Sequence, residues 1–210
     1  MNYFKNYTNS IHHSISSIEV SDFSDTCLSP QTGFEKLCEY SSSVKSFNGQ
    51  QIFIGNGASS SFSQHMALDW SKNGGVRSSS LDSACMITAL SNDLAFEDCY
   101  LEFIKIFCGN NDLLVAISSS GNSKNIIKAI EYARSISMKV VTFTGLKEKN
   151  EARTLGDLNF YIPAKTYGIV ECAHQVLLHL WIDMHMGVQE WNRDISVSYT
   201  HLTLPTKRIV

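Results

Sequence analysis

The sequence predicts an α/β domain in which a parallel sheet carries helices on both faces and is entered through an N-terminal helical segment. Three observations predict it. Apolar runs of strand length recur along the chain, stretches at helical spacing lie between them, and two of the runs stop abruptly in loops rich in Gly, Ser and Asn.

Residues 1–18 and 31–46 read as helices joined by the polar link Ser21-Asp22-Phe23-Ser24-Asp25, with Pro30 suited to the start of the second. Gln51-Ile52-Phe53-Ile54 is a short strand that ends in Gly55-Asn56-Gly57, after which Ala58 to Lys72 continues at helical spacing. A weaker strand lies near Val76 to Leu81. Asp112 to Ile117 repeats the design, running into Ser118-Ser119-Ser120-Gly121-Asn122-Ser123 and then a helical Ile126 to Ile136. Lys139 to Phe143 and Asp157 to Ile162 supply two further strands, and a long helix spans about Ile169 to Met186. Strands that are apolar throughout, alternating with helices, are buried on both faces, as in parallel sheets. Ligands of such sheets gather at the carboxyl ends of the strands, where the two loops sit.

Composition narrows the class. The chain has 210 residues, 43% hydrophobic and 18% charged, with a formal net charge of −3, enough for one domain with a sizeable core. The low charge is offset by Ser, which occurs in triplets at 41–43, 59–61, 78–80 and 118–120. A slightly acidic chain without a Lys/Arg run argues against a nucleic-acid partner held by phosphate neutralisation. No apolar run approaches the ~18 residues that span a bilayer, and the N-terminus lacks an apolar signal core, so no membrane partner and a cytoplasmic location are expected. Cys27, Cys38, Cys85, Cys99, Cys108 and Cys172 lie far apart without a CxxC pair, and buried free thiols are expected.

The loops carry the chemistry. A helix N-terminus offers unpaired N–H groups and partial positive charge, and Gly and Ser let an oxyanion approach while adding hydroxyl donors, so Ser118 to Ser123 can cradle a phosphate without a Lys. Taken alone, the same loop also suits an ordinary capped turn. His65 and Asp69 lie four residues apart on one helix face, a spacing that serves a metal or acid/base site as well as a surface pair. The last helix carries Glu171, His174, His179 and Asp183 among apolar neighbours, and His174 and Asp183 are left outside the expected site.

Five segments in order, Gly55-Asn56-Gly57-Ala58-Ser59, His65-Met66-Ala67-Leu68-Asp69, Asn92-Asp93, Ile117 to Ser123 and Glu171 to His179, resemble those of the phosphoheptose isomerases, a branch of the sugar isomerase (SIS) domain family. The resemblance runs over about residues 35–190. It implies a three-layer SIS fold with a five-stranded parallel sheet, a homotetramer with composite sites at subunit interfaces, and isomerisation of sedoheptulose 7-phosphate to D-glycero-D-manno-heptose 7-phosphate on the route to activated heptose for surface polysaccharide. By position, Asn56, Gly57 and Ala58 would border the sugar, Asn92 and Asp93 would contact its hydroxyls, and Ser118, Ser119, Ser120 and Ser123 would bind phosphate. The resemblance places an acid/base carboxylate at Asp69, its partner at His179, and zinc on His65, Asp69, Glu171 and His179, with Glu171 also near substrate. A non-catalytic SIS protein that binds a sugar phosphate or a replication initiator is the competing reading. Retention of His65, Asp69, Glu171 and His179 favours the enzyme.

Two positions depart from the family pattern. Residue 69 is Asp where the family usually has Glu, and residue 171 is Glu where Gln is common. Glu171 and His179 are also ~12 Å apart along an unbroken helix, long for two ligands of one ion, so either the helix starts after Glu171 or the two serve sites shared between subunits.

The expected organisation is a helical segment over 1–48, the SIS domain over 49–196, and a tail over 197–210. Val197 to Thr206 back-translates as GTC TCT TAT ACA CAT CTG ACG CTG CCG ACG, which matches read-through into a transposase-based sequencing adapter. The tail is therefore expected to be non-native, and His201, Lys207 and Arg208 carry no functional weight.

Overall fold

The computed structural model describes residues 1–81 and 83–192. The tail over 197–210 lies outside the described residues. Helix α1 (Tyr3–Ser16) is capped by Asn2, whose Oδ1 accepts the Lys5 N–H at 3.0 Å, and α2 (Pro30–Ser46) by Ser29, whose Oγ accepts the Thr32 N–H at 3.1 Å. Pro30 fills the first turn of α2, where a missing N–H costs nothing.

The sheet contains the five expected parallel strands, β3 (Gln51–Gly55), β4 (Ser78–Ser80), β5 (Leu113–Ser118), β6 (Lys139–Gly145) and β7 (Leu158–Ile162). It is larger than expected. Two short strands, β1 (Glu19–Asp22) and β2 (Cys27–Leu28), extend it antiparallel at the β7 edge, giving seven strands among the described residues in the order β2-β1-β7-β6-β5-β3-β4. The segment expected to be a plain link is thus partly a strand. It hides its character because only Val20 of β1 is buried, while the remaining side chains are half-buried or exposed.

Helices cover both faces. Alternate residues of β5 divide between them: Leu113, Val115 and Ile117 pack with α1, α2, α3 (Ala58–Asp69) and α7 (Tyr167–Met186), while Leu114 and Ala116 pack with α5 (Cys99–Phe107) and α6 (Lys124–Ser135). Helix α4 (Ala84–Asp93) joins this second layer through Met86, Ile87 and Leu90. Among the described residues no helix is long and apolar enough to cross a membrane. The cysteines are free, but only Cys99 is buried; Cys27, Cys85 and Cys172 are exposed, which corrects the expectation of buried thiols. Cys27 lies on the outermost strand and Cys85 on α4, which buries no residue, so apolar sequence neighbours did not bring burial there.

Candidate active site

β3 and β5 are hydrogen-bonded neighbours, yet α3 leaves β3 toward one layer and α6 leaves β5 toward the other. Adjacent parallel strands with diverging connections leave a crevice outside their carboxyl ends. Asn56 and Asn125 meet in it: Asn56 Nδ2 donates to Asn125 Oδ1 at 3.0 Å, and Asn125 Nδ2 donates to Asn56 Oδ1 at 2.9 Å. Gly57 follows with φ +57°, a conformation that a side chain would strain, and lets α3 begin at Ala58. A cleft of about 520 Å³ opens at the pair, lined further by Ala95, Phe96, Glu97, Ser123 and Lys124.

The Ser loop forms one side of this region. Ser118 and Ser119 are buried, Ser120 and Ser123 half-buried. Gly121 takes φ +63°, and a Cβ there would lie 1.8 Å from Asn150 Oδ1, so the turn requires glycine. Ser123 occupies the N-cap of α6, but its hydroxyl makes no capping bond. Ser119 Oγ is buried with no hydrogen-bond partner among the described residues. An unpaired buried hydroxyl costs ~1–3 kcal/mol, which a phosphate oxygen accepting its proton would relieve. The α6 N-terminus adds a positive dipole end.

Asn92 and Asp93 end α4, exposed, just before the cleft residue Ala95, and Asn92 Nδ2 donates to Asp93 Oδ1 at 2.9 Å. The following turn, Phe96–Asp98, is tied to α6 by Lys128 Nζ, 2.8 Å from Glu97 Oε1 and 2.7 Å from Asp98 Oδ1. The Lys128 hydrogen bond lowers the Glu97 carboxyl pKa.

A second constellation lies between α3 and α7. His65 Nε2 is 3.4 Å from Asp69 Oδ2, the His65 and His179 ring centroids are 5.3 Å apart, and one ligating atom from each of the three residues lies within 4.8 Å of the others. Tetrahedral zinc with bonds of ~2.0–2.1 Å separates neighbouring ligands by ~3.3 Å, close to the His65–Asp69 spacing. Two imidazoles and one carboxylate are a donor set that suits a divalent metal ion, with all three ligating atoms within 4.8 Å of one another. Glu171 does not join this group. Helix α7 begins at Tyr167 and is unbroken through both Glu171 and His179, which keeps them ~12 Å apart along its axis. Asp69 is likewise eleven residues beyond Ala58, or ~16 Å along α3 from the cleft end.

A family model described as SIS domain matches residues 34–145, over half of the chain. The chain belongs to the SIS domain family. A phosphoheptose isomerase of Buchnera aphidicola is 31% identical over 147 residues, covering 66% of this chain and 76% of its own. One from Helicobacter pylori is 29% identical over 141 residues, covering 64% and 73%. In structure, this SIS domain resembles the phosphoheptose isomerase from Neisseria gonorrhoeae with a TM-score of 0.74 at 22% identity, covering 87% of this chain and 95% of that one.

The SIS domain also presents a residue that sequence reasoning set aside. Burial raises the Asp183 carboxyl pKa, His179 opposes this and Asp69 adds to it, so Asp183 stands within electrostatic reach of both. Its spacing of four from His179 was the available signal, masked by the apolar character of the helix around it.

Proposed function

We propose that this SIS protein is a phosphoheptose isomerase that converts sedoheptulose 7-phosphate to D-glycero-D-manno-heptose 7-phosphate in the cytoplasm, supplying activated heptose for surface polysaccharide. The observation that carries the reading is the joint presence of a phosphate-suited Ser loop and the His65, Asp69 and His179 cluster in one chain whose relatives are named phosphoheptose isomerase. A regulator that only binds would have no use for the second feature.

Ketose-to-aldose conversion moves a proton between adjacent carbons through an enediol and needs a base, a group serving the oxygens, and charge stabilisation. Asp69 takes the carbon-bound proton and His179 exchanges protons with the sugar oxygens. Ser118, Ser119, Ser120 and Ser123 hold the phosphate, Asn56, Gly57 and Ala58 border the sugar, and Asn92 and Asp93 contact its hydroxyls. Zinc held by His65, Asp69 and His179 would polarise the carbonyl as a Lewis acid.

The protein acts as a homotetramer in this reading, with the cluster of one protomer serving the cleft of another. The ~16 Å along α3 between cleft and cluster supports this. So do the exposed apolar side chains beside the cluster, Leu68 at 61%, Val176 at 44% and Leu180 at 39% exposure, which a second copy would cover. Glu171, near the start of α7, would then complete a neighbour's ligand set.

The test is turnover of sedoheptulose 7-phosphate by the purified chain. Asp69→Ala and His179→Ala should each lower kcat by ~10²-fold or more while the protein stays folded. Full activity in either variant, or none in the parent with zinc supplied, overturns the reading.

A further inference from the structure

His174 is fully buried on α7, and its Nε2 lies 3.1 Å from the Thr144 carbonyl at the end of β6. A carbonyl can only accept, so Nε2 carries the proton; Nδ1 is then a lone pair, buried without a partner among the described residues. The contact is made possible one turn earlier. Val170 packs on Gly145 so closely that a Cβ on Gly145 would lie 2.5 Å from Val170 Cγ1. Glycine at 145 thus lets α7 approach the strand end.

The peptide group that receives the His174 bond also makes one. Thr144 C=O and Gly145 N–H belong to the same planar unit, and the Gly145 N–H donates to the Ser119 carbonyl at 3.1 Å. The sequence His174 N–H to Thr144 C=O, then Gly145 N–H to Ser119 C=O, is a chain of hydrogen bonds in which each polarises the next. In a trans peptide the N–H points opposite the C=O. With the Ser119 carbonyl held toward β6, the Ser120 N–H is turned toward the other side of β5, where β3 and the crevice lie.

We infer that His174 is a positioning residue for the phosphate loop, holding the Ser119–Ser120 peptide with its N–H presented to the substrate phosphate through the Thr144–Gly145 peptide. The inference rests on the reading of Ser118 to Ser123 as a phosphate cradle. It also ties the loop mechanically to the helix that carries His179.

Met and Gln have nearly the same size, but only Gln can place a donor where His174 Nε2 sits. His174→Met should raise both KM for the sugar phosphate and the Kd for inorganic phosphate about five- to tenfold, with kcat within about twofold, because the lost contact acts on ground and transition states alike. His174→Gln should restore both values to within about twofold of the parent. Equal weakening in the two variants, unchanged phosphate affinity in folded His174→Met, or a fall in kcat at constant KM overturns the proposal. Should His174→Met not fold, the parent protein with ¹⁵N-labelled histidine decides: saturating inorganic phosphate should shift the His174 Nε2–H resonance, and an unmoved signal overturns the proposal. Failure of the cradle reading looks different, since the parent would then bind no inorganic phosphate and Ser119→Asp would leave KM unchanged.

Discussion

Asp69 presents its carboxylate one methylene closer to the α3 backbone than the Glu usual in phosphoheptose isomerases, and Asp183 adds a second carboxyl within electrostatic reach. A charge near a cation contributes even without direct ligation, by ~1 kcal/mol or so in a partly solvated site. Asp183→Asn should therefore weaken zinc binding about three- to tenfold in a chelator competition, with His65, Asp69 and His179 intact. Unchanged affinity would show that solvent screens Asp183 from the cluster. His65 with Asp69 was legible in the sequence because four-residue spacing on a helix is enough to pair them. Asp183 was not, because its proximity to Asp69 depends on how α7 packs against α3, which no local spacing encodes.

At the scale of elements, the parallel strands were readable because β3, β5, β6 and β7 are almost wholly buried and hence apolar on both faces. β1 and β2 escaped because short strands at the sheet margin with one buried side chain between them look like polar loop. Helix α7 matched its expected extent, and its docking has a measurable cost. Burial lowers the His174 pKa from 6.5 to about 4, with the Thr144 hydrogen bond opposing. Between those values the unfolded chain binds more protons than the native one, so the penalty is absent above pH 6.5 and grows as the pH falls toward 4, lowering stability by on the order of 3 kcal/mol in all. Urea unfolding of the parent at pH 7, 5.5 and 4.5 should show this decline, and His174→Gln should show a shallower one. Parallel declines in both proteins would assign the acid sensitivity to other groups.

For the whole molecule, the separation of cleft and cluster along α3 makes a prediction about mixtures. Ser119→Asp should abolish phosphate binding, and Asp69→Ala should remove the base. If each site takes its cradle from one protomer and its cluster from another, two inactive variants refolded together at equal ratio should regain about a quarter of parental activity, since half the cradles and half the clusters are intact. Zero recovery despite mixed tetramers, verified by mass, would place each site within a single chain. The sequence segments resembling the phosphoheptose isomerases supplied the candidate residues, but the separation of cleft and cluster became visible only once the extent of α3 was known.

The reciprocal bonds between Asn56 and Asn125 have one more consequence. Each amide offers a donor and an acceptor edge, and a mutual pair uses both without placing any net charge between the loops; a carboxylate on either side would set oxygen against oxygen. The crevice is thus electrically lopsided. An anion entering the cleft meets positive charge at the α6 end, from the helix terminus and Lys124, negative charge at Glu97, and neutrality across the amides, so the Asn pair leaves its orientation to the charged groups on either side.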